Sequence, residues 1–230
     1  MGVLAGIFIY SSLIQIITPN DLAVKYFYAA GFLSLSCFGT LLFWLLAFMI
    51  TAVVTEDEFH GTTINQYSVG VRSGDVFISK TAVCATILFL VTIELYLSNW
   101  IASAVRQGDK LRDIEWNGRL LSDTGLTFLI LFLIFCAEST LFTLYGNLTR
   151  SRVVAFICCV VISLIEFVAV AYYREGAGII SPFGVMIKFL NKDRFGIENI
   201  NVSWCIAFLS VWTAAFMIIN RVTVRINRNR

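Results

Sequence analysis

The chain has 230 residues, 58% of them hydrophobic and only 14% charged, with a mean hydropathy of +0.82. A net charge of +2 gives no field that would gather nucleic acid. All six cysteines fall inside apolar runs, where they read as small hydrophobes and exclude a disulfide framework or a metal centre.

A bilayer is crossed by ~20 apolar residues at ~1.5 Å rise each. The runs here lie near 3–17, 27–54, 81–102, 124–145, 153–173 and 202–219. They predict an all-α polytopic membrane protein with six transmembrane helices, in one domain spanning 1–230. Alternating polarity, the mark of a β-barrel, is missing from these runs.

The first run opens on MGVLAGIFIY. Gly6 stands where a myristoylation signal needs Ser or Thr, and no Lys or Arg precedes the apolar stretch as a cleavable signal requires. The segment is read as a short first span.

Between the second and third runs lies EDEFHGTTINQYSVGVRSGDVFISK, Glu56–Lys80, with the only histidine, His60. A stretch this polar is excluded from hydrocarbon and belongs at a membrane face. Glu56, Asp57 and Glu58 suit a helix start, where negative charge complements exposed amides. Phe59, Thr63 and Tyr67 recur every four residues, a modest stripe for a membrane surface or a partner. On these patterns alone, a solvated loop accounts for the segment as well.

Acids at Glu94, Glu138 and Glu166 fall within the third, fourth and fifth runs. A charge at mid-bilayer costs ~2.5–3.5 kcal/mol on insertion scales, so each acid should face the bundle interior, be protonated or have a partner. Glu94 and Glu166 each follow the start of their run by 13 residues, or ~20 Å along a helix, and so are expected at one depth. Two readings stand side by side: a polar translocation path, or hydrogen bonds between helices through Ser and Thr.

The connection Arg174–Asn201 carries an apolar patch, Ile179–Leu190, too short to span and suited to a re-entrant segment. Ser181-Pro182 is expected to break any helix there. The tail RVTVRINRNR and the tight loop GNLTRSR are basic without acids, which places both termini and Glu56–Lys80 in the cytoplasm of a multi-pass cell-membrane protein. Against this, the opposite loops hold nine Lys/Arg and the inner ones eight.

No phosphate loop, zinc-protease motif or nucleophile elbow occurs, and one histidine makes a catalytic triad improbable. No catalytic residue, metal ligand or cofactor is therefore assigned, and the chain is expected not to be an enzyme.

Glu58, Gly61-Thr62, Ile64–Tyr67, Gly70 to Arg72 and Ser79-Lys80, with Asn65, together resemble the segment after the second span of type 2 ABC exporter permeases, in the bacteriocin-immunity and multidrug branch. Ser181–Phe183 resembles the external re-entrant helices of the same family. The resemblance implies a coupling helix between spans two and three, with Glu58, Gly61, Thr62 and Arg72 touching a separate cytoplasmic ATPase dimer. It also implies a second permease subunit, identical or homologous, set in membrane lipid, and an amphipathic peptide, lipid or drug as cargo. One departure is plain: the family usually begins with a basic amphipathic helix before the first span, and this sequence opens almost inside that span, so either its start is set late or the subunit lacks that helix. The alternatives are a proton-coupled transporter using Glu94, Glu138 and Glu166, and a membrane assembly subunit without transport.

Overall fold

Without water in the bilayer core, a chain must satisfy its backbone amides internally, and a helix does so within one segment. The computed structural model describes residues 9, 48–52, 73–107, 118–149, 151–173, 182–190 and 201–228. The elements among them are all helical: α1 (Ser73–Gln107), α2 (Gly118–Thr149), α3 (Arg152–Tyr173), α4 (Pro182–Leu190) and α5 (Val202–Arg228). Residues 48–52 form a further helical piece. Three stretches, Gly125–Thr149, Arg152–Ala169 and Val202–Thr223, are long and apolar enough to cross a membrane. Of the expected spans, 3–17 and 27–54 lie outside the described residues except for 9 and 48–52.

The helices overrun the apolar runs at several ends. α1 starts at Ser73, eight residues before the expected span, so Ser73–Lys80 is helix rather than connecting segment. α2 extends to Gly118 and Thr149, which leaves only Arg150 and Ser151 before α3. That turn is closed locally. The Val154 amide donates to Ser151 Oγ at 3.4 Å and the Ala155 amide to the Ser151 carbonyl at 3.0 Å, an N-cap for α3. Asn201 does the same for α5, its Oδ1 accepting from the Trp204 amide at 3.1 Å. Pro182 is the first residue of α4, where its missing N–H is no loss and its fixed φ suits a helix start. Residues 174–181 before it lie outside the described residues.

α2 lies at the centre and packs against α1, α3, α4 and α5. Its central role follows from a lack of sidedness: Ile130, Phe135, Ser139, Thr143 and Leu144 are all at most 8% exposed although they point around the helix. By contrast, α3 is two-sided in the sense a membrane requires. Val153, Ile157, Val161, Ile165 and Val168 form an exposed aliphatic stripe, while Ala155, Cys159, Ser163 and Glu166 are buried on the other face. Small and polar residues inside with branched aliphatics outside reverse the soluble pattern, and they allow helix backbones to approach closely. On α5, Val211, Ile218 and Val222 are exposed, and the rings of Trp204, Phe208, Trp212 and Phe216 stack in a ladder with centroids 5.1, 5.5 and 4.7 Å apart.

Aromatic contacts set the register around α2. Phe89 of α1 meets Phe128 and Phe132 edge-on, both at 5.6 Å. Phe48 stacks on Phe142 at 5.1 Å and touches Phe156 of α3 edge-on at 6.4 Å. The Cys84–Ser139 contact lies further along, so α1 and α2 run antiparallel.

Candidate functional site

A hydroxyl in hydrocarbon needs an acceptor, and on a helix the nearest is its own backbone four residues earlier. Thr92, Thr143, Ser163 and Thr213 all donate to their i−4 carbonyls at 2.7–2.8 Å. Thr140 donates to Ala137 O at 2.8 Å. These side chains are polar by type but present mainly methyl and methylene surface to the bundle.

Where polar atoms do reach across helices, they do so along one stripe of α2. Cys136, Ser139, Thr140, Thr143 and Asn147 recur at three- and four-residue spacing, which places them on one face. Thr51 Oγ1 donates to Ser139 Oγ at 2.9 Å, and Cys84 Sγ lies 3.1 Å from the same oxygen and 3.7 Å from Thr51 Oγ1. This buried knot ties residues 48–52, α1 and α2 together. Toward the end of the stripe, Asn220 of α5, 1% exposed, donates through Nδ2 to the Thr140 carbonyl at 2.9 Å. Its Oδ1 accepts from Asn147 Nδ2 at 3.2 Å. The side-chain amide thus serves as both donor and acceptor between two helices.

The predicted acids have different surroundings. Glu138 is 1% exposed and Glu166 2% exposed. Both face the bundle interior, as their cost in lipid requires. Glu138 lies on α2 within charge–charge range of Cys159 of α3. Glu166 points from α3 at the first turn of α4. A Cβ built on Gly184 would lie 2.9 Å from Glu166 Oε2 and 3.3 Å from Oε1, so the missing side chain of Gly184 makes room for the carboxylate. An acid there also complements the amide end of a short helix. Pro182, Phe183, Gly184 and Val185 are all buried, which sets this turn inside the bundle against α2 and α3. Glu94 is only partly buried, and its Oε2, shielded from solvent, accepts no hydrogen bond among the described residues.

The expected ATPase-contact residues Glu58, Gly61, Thr62 and Arg72 lie outside the described residues. No group of His, Cys, Asp and Glu suited to a metal occurs among the described residues. Sequence reasoning passed over Thr51, Cys84, Ser139, Asn147 and Asn220. The α2 stripe was visible in their spacing, but which helices it would join was not.

A cleft of about 280 Å³ lies between α1, α2 and α5. Its α1 wall includes Ile78, Ala82, Ala85 and Leu88, and α5 contributes Thr213 and Met217. The bundle therefore offers two kinds of interior: a polar seam with paired hydroxyls and amides, and an apolar cleft beside it. In comparisons with known proteins, no family model, no curated protein and no solved structure matches the chain.

Proposed function

We propose that the chain is the membrane-spanning permease subunit of an ATP-driven ABC exporter in the cell membrane, with both termini in the cytoplasm. It moves an amphipathic peptide, lipid or drug with energy from a separate ATPase dimer, and pairs with a second permease subunit. The observation that carries the reading is α4. A nine-residue helix between two membrane-length helices, opened by Pro182 and buried at its first turn, is too short to span and fits a re-entrant element. Support also comes from the residues of Glu56–Lys80 and from the lack of a phosphate loop on the chain, which leaves nucleotide hydrolysis to a partner.

In this account Glu58, Gly61, Thr62 and Arg72 contact the ATPase, and nucleotide-driven closure shifts the paired permeases between two states. The test is copurification from membranes with a co-expressed phosphate-loop ATPase. Wild type retains the ATPase, whereas Glu58→Ala weakens and Gly61→Trp abolishes the association. Equal retention by all three proteins overturns the assignment of these contacts.

A second reading, proton-coupled transport, is favoured by the burial of Glu138 and Glu166 at 1% and 2% exposure. It requires Glu138→Gln and Glu166→Gln to abolish transport when no ATPase is present. Transport that depends wholly on the ATPase rejects it.

A further inference from the structure

We propose that the cleft between α1, α2 and α5 is a binding slot for one acyl chain of a membrane lipid.

The first argument is chemical. Four hydroxyl residues, Thr81, Ser139, Thr140 and Thr213, line the slot, which by type would suit water or a polar ligand. Their bonding says otherwise. Ser139 is held by Thr51 and Cys84, Thr140 is turned back to the Ala137 carbonyl, and Thr213 to the Leu209 carbonyl. Thr81 is engaged as well. A bound water needs two to four polar partners, and with the hydroxyls turned back in this way almost all of the surface facing the cleft is apolar. What faces the cleft is methyl, methylene and sulfur, from Ala82, Ala85, Leu88, Cys136 and Met217 among others.

The second argument is shape. The α1 wall runs from Ile78 to Leu88, ten residues or ~15 Å of helix. At about 280 Å³ the cleft stands at the small end of ligand pockets, which run ~300–1,000 Å³. A small volume along a wall of that length suits one slender chain better than a folded drug or a peptide. Small residues on α1, Ala82 and Ala85, open the bore, and flexible Met217 adapts the opposite wall.

The third argument is location. α2 and α5, which form two of the walls, are membrane-length helices, so the phase around the slot is itself hydrocarbon. An apolar void in that phase is filled most readily by a chain drawn from it. The inference uses only this geometry and does not depend on an ATPase partner.

The test is photo-crosslinking of the full chain in nanodiscs. One arm uses a phosphatidylglycerol with a mid-chain diazirine, the other a diazirine-bearing long-chain alkyltrimethylammonium. The labelled residues are read by peptide mass spectrometry. Wild type should label at Ala85, Cys136 or Met217, and Ala85→Phe should lower that yield at least tenfold. Labelling along the exposed α3 stripe, Val153 to Val168, should stay unchanged as the internal reference. Label from the lipid arm, alone or together with the ammonium arm, supports the proposal, whereas label from the ammonium arm alone overturns it. If Ala85→Phe does not fold, Met217→Phe and competition by unlabelled phosphatidylglycerol replace it. No label at the slot residues, or label that neither the substitutions nor the competitor reduces, overturns the proposal.

Discussion

Gly184→Ala probes the seat of the Glu166 carboxylate on α4. In an exposed helix the change would stabilise by about 0.5–1 kcal/mol, because glycine loses more backbone entropy on folding than alanine. Here the new methyl would stand 2.9 Å from Glu166 Oε2 and 3.2 Å from Cδ, inside the 3.4 Å at which ordinary contact begins. A carboxylate end is normally free to swing aside, but Glu166 is 2% exposed and held within the bundle. Overpacking of this kind costs ~1–3 kcal/mol, which exceeds the helix gain. The expected net loss is therefore about 0.5–2 kcal/mol, read as a lower midpoint in denaturant unfolding of the detergent-solubilised protein. The sign should reverse in a Glu166→Ala background. There the carboxylate is gone, and Gly184→Ala should stabilise by the ~0.5–1 kcal/mol of helix propensity alone. The double-mutant cycle isolates the contact from everything else either substitution does. Equal effects of Gly184→Ala in the two backgrounds would refute the reasoning that Gly184 exists to seat Glu166.

Other outcomes follow from the same structure. Gly125→Ala on α2 meets nothing within 4 Å and should raise the unfolding free energy by about 0.5–1 kcal/mol in the same assay. Asn220→Ala removes the bonds to Thr140 and Asn147 and should destabilise by about 1 kcal/mol, at ~0.6 kcal/mol per bond between membrane helices. Asn220→Asp should cost more than Asn220→Ala, because a carboxylate would face the Thr140 carbonyl where Nδ2 now donates; an Asp variant as stable as wild type contradicts that geometry. Ser139→Ala breaks two of the three contacts of the knot and should lower stability by a similar ~1 kcal/mol, with Ser139→Thr intermediate.

Much of the fold was legible in the sequence because lipid imposes a simple rule on composition. The run expected at 153–173 is α3 almost residue for residue, since Ser151 and a basic pair bound it sharply. The start of α1 was misplaced by eight residues for a physical reason: hydropathy marks where a helix meets hydrocarbon, not where it begins. Ser73–Lys80 is polar helix, continuous with the apolar one. Pro182 was read only as a helix breaker, and the same ring that stops a helix from inside is well placed to open one, as it does for α4. At the candidate site, Glu138 and Glu166 announced their burial through their cost in lipid, while Gly184 gave no such signal. A glycine two residues after a proline reads as a turn, and only the packing of α4 on α3 turns it into a seat for a carboxylate. Asn220 was passed over for a similar reason, its partners lying 73 and 80 residues earlier in the chain.

The central claim, that a separate ATPase drives this permease through the segment after its second span, is tested most directly by ATP hydrolysis in proteoliposomes. A phosphate-loop ATPase that copurifies with the chain would be co-reconstituted with wild type or with Gly61→Trp. The account predicts that wild type stimulates hydrolysis several-fold over the ATPase alone, and that Gly61→Trp returns it to the unstimulated rate. Hydrolysis indifferent to the presence of the chain, or equally stimulated by Gly61→Trp, would contradict it.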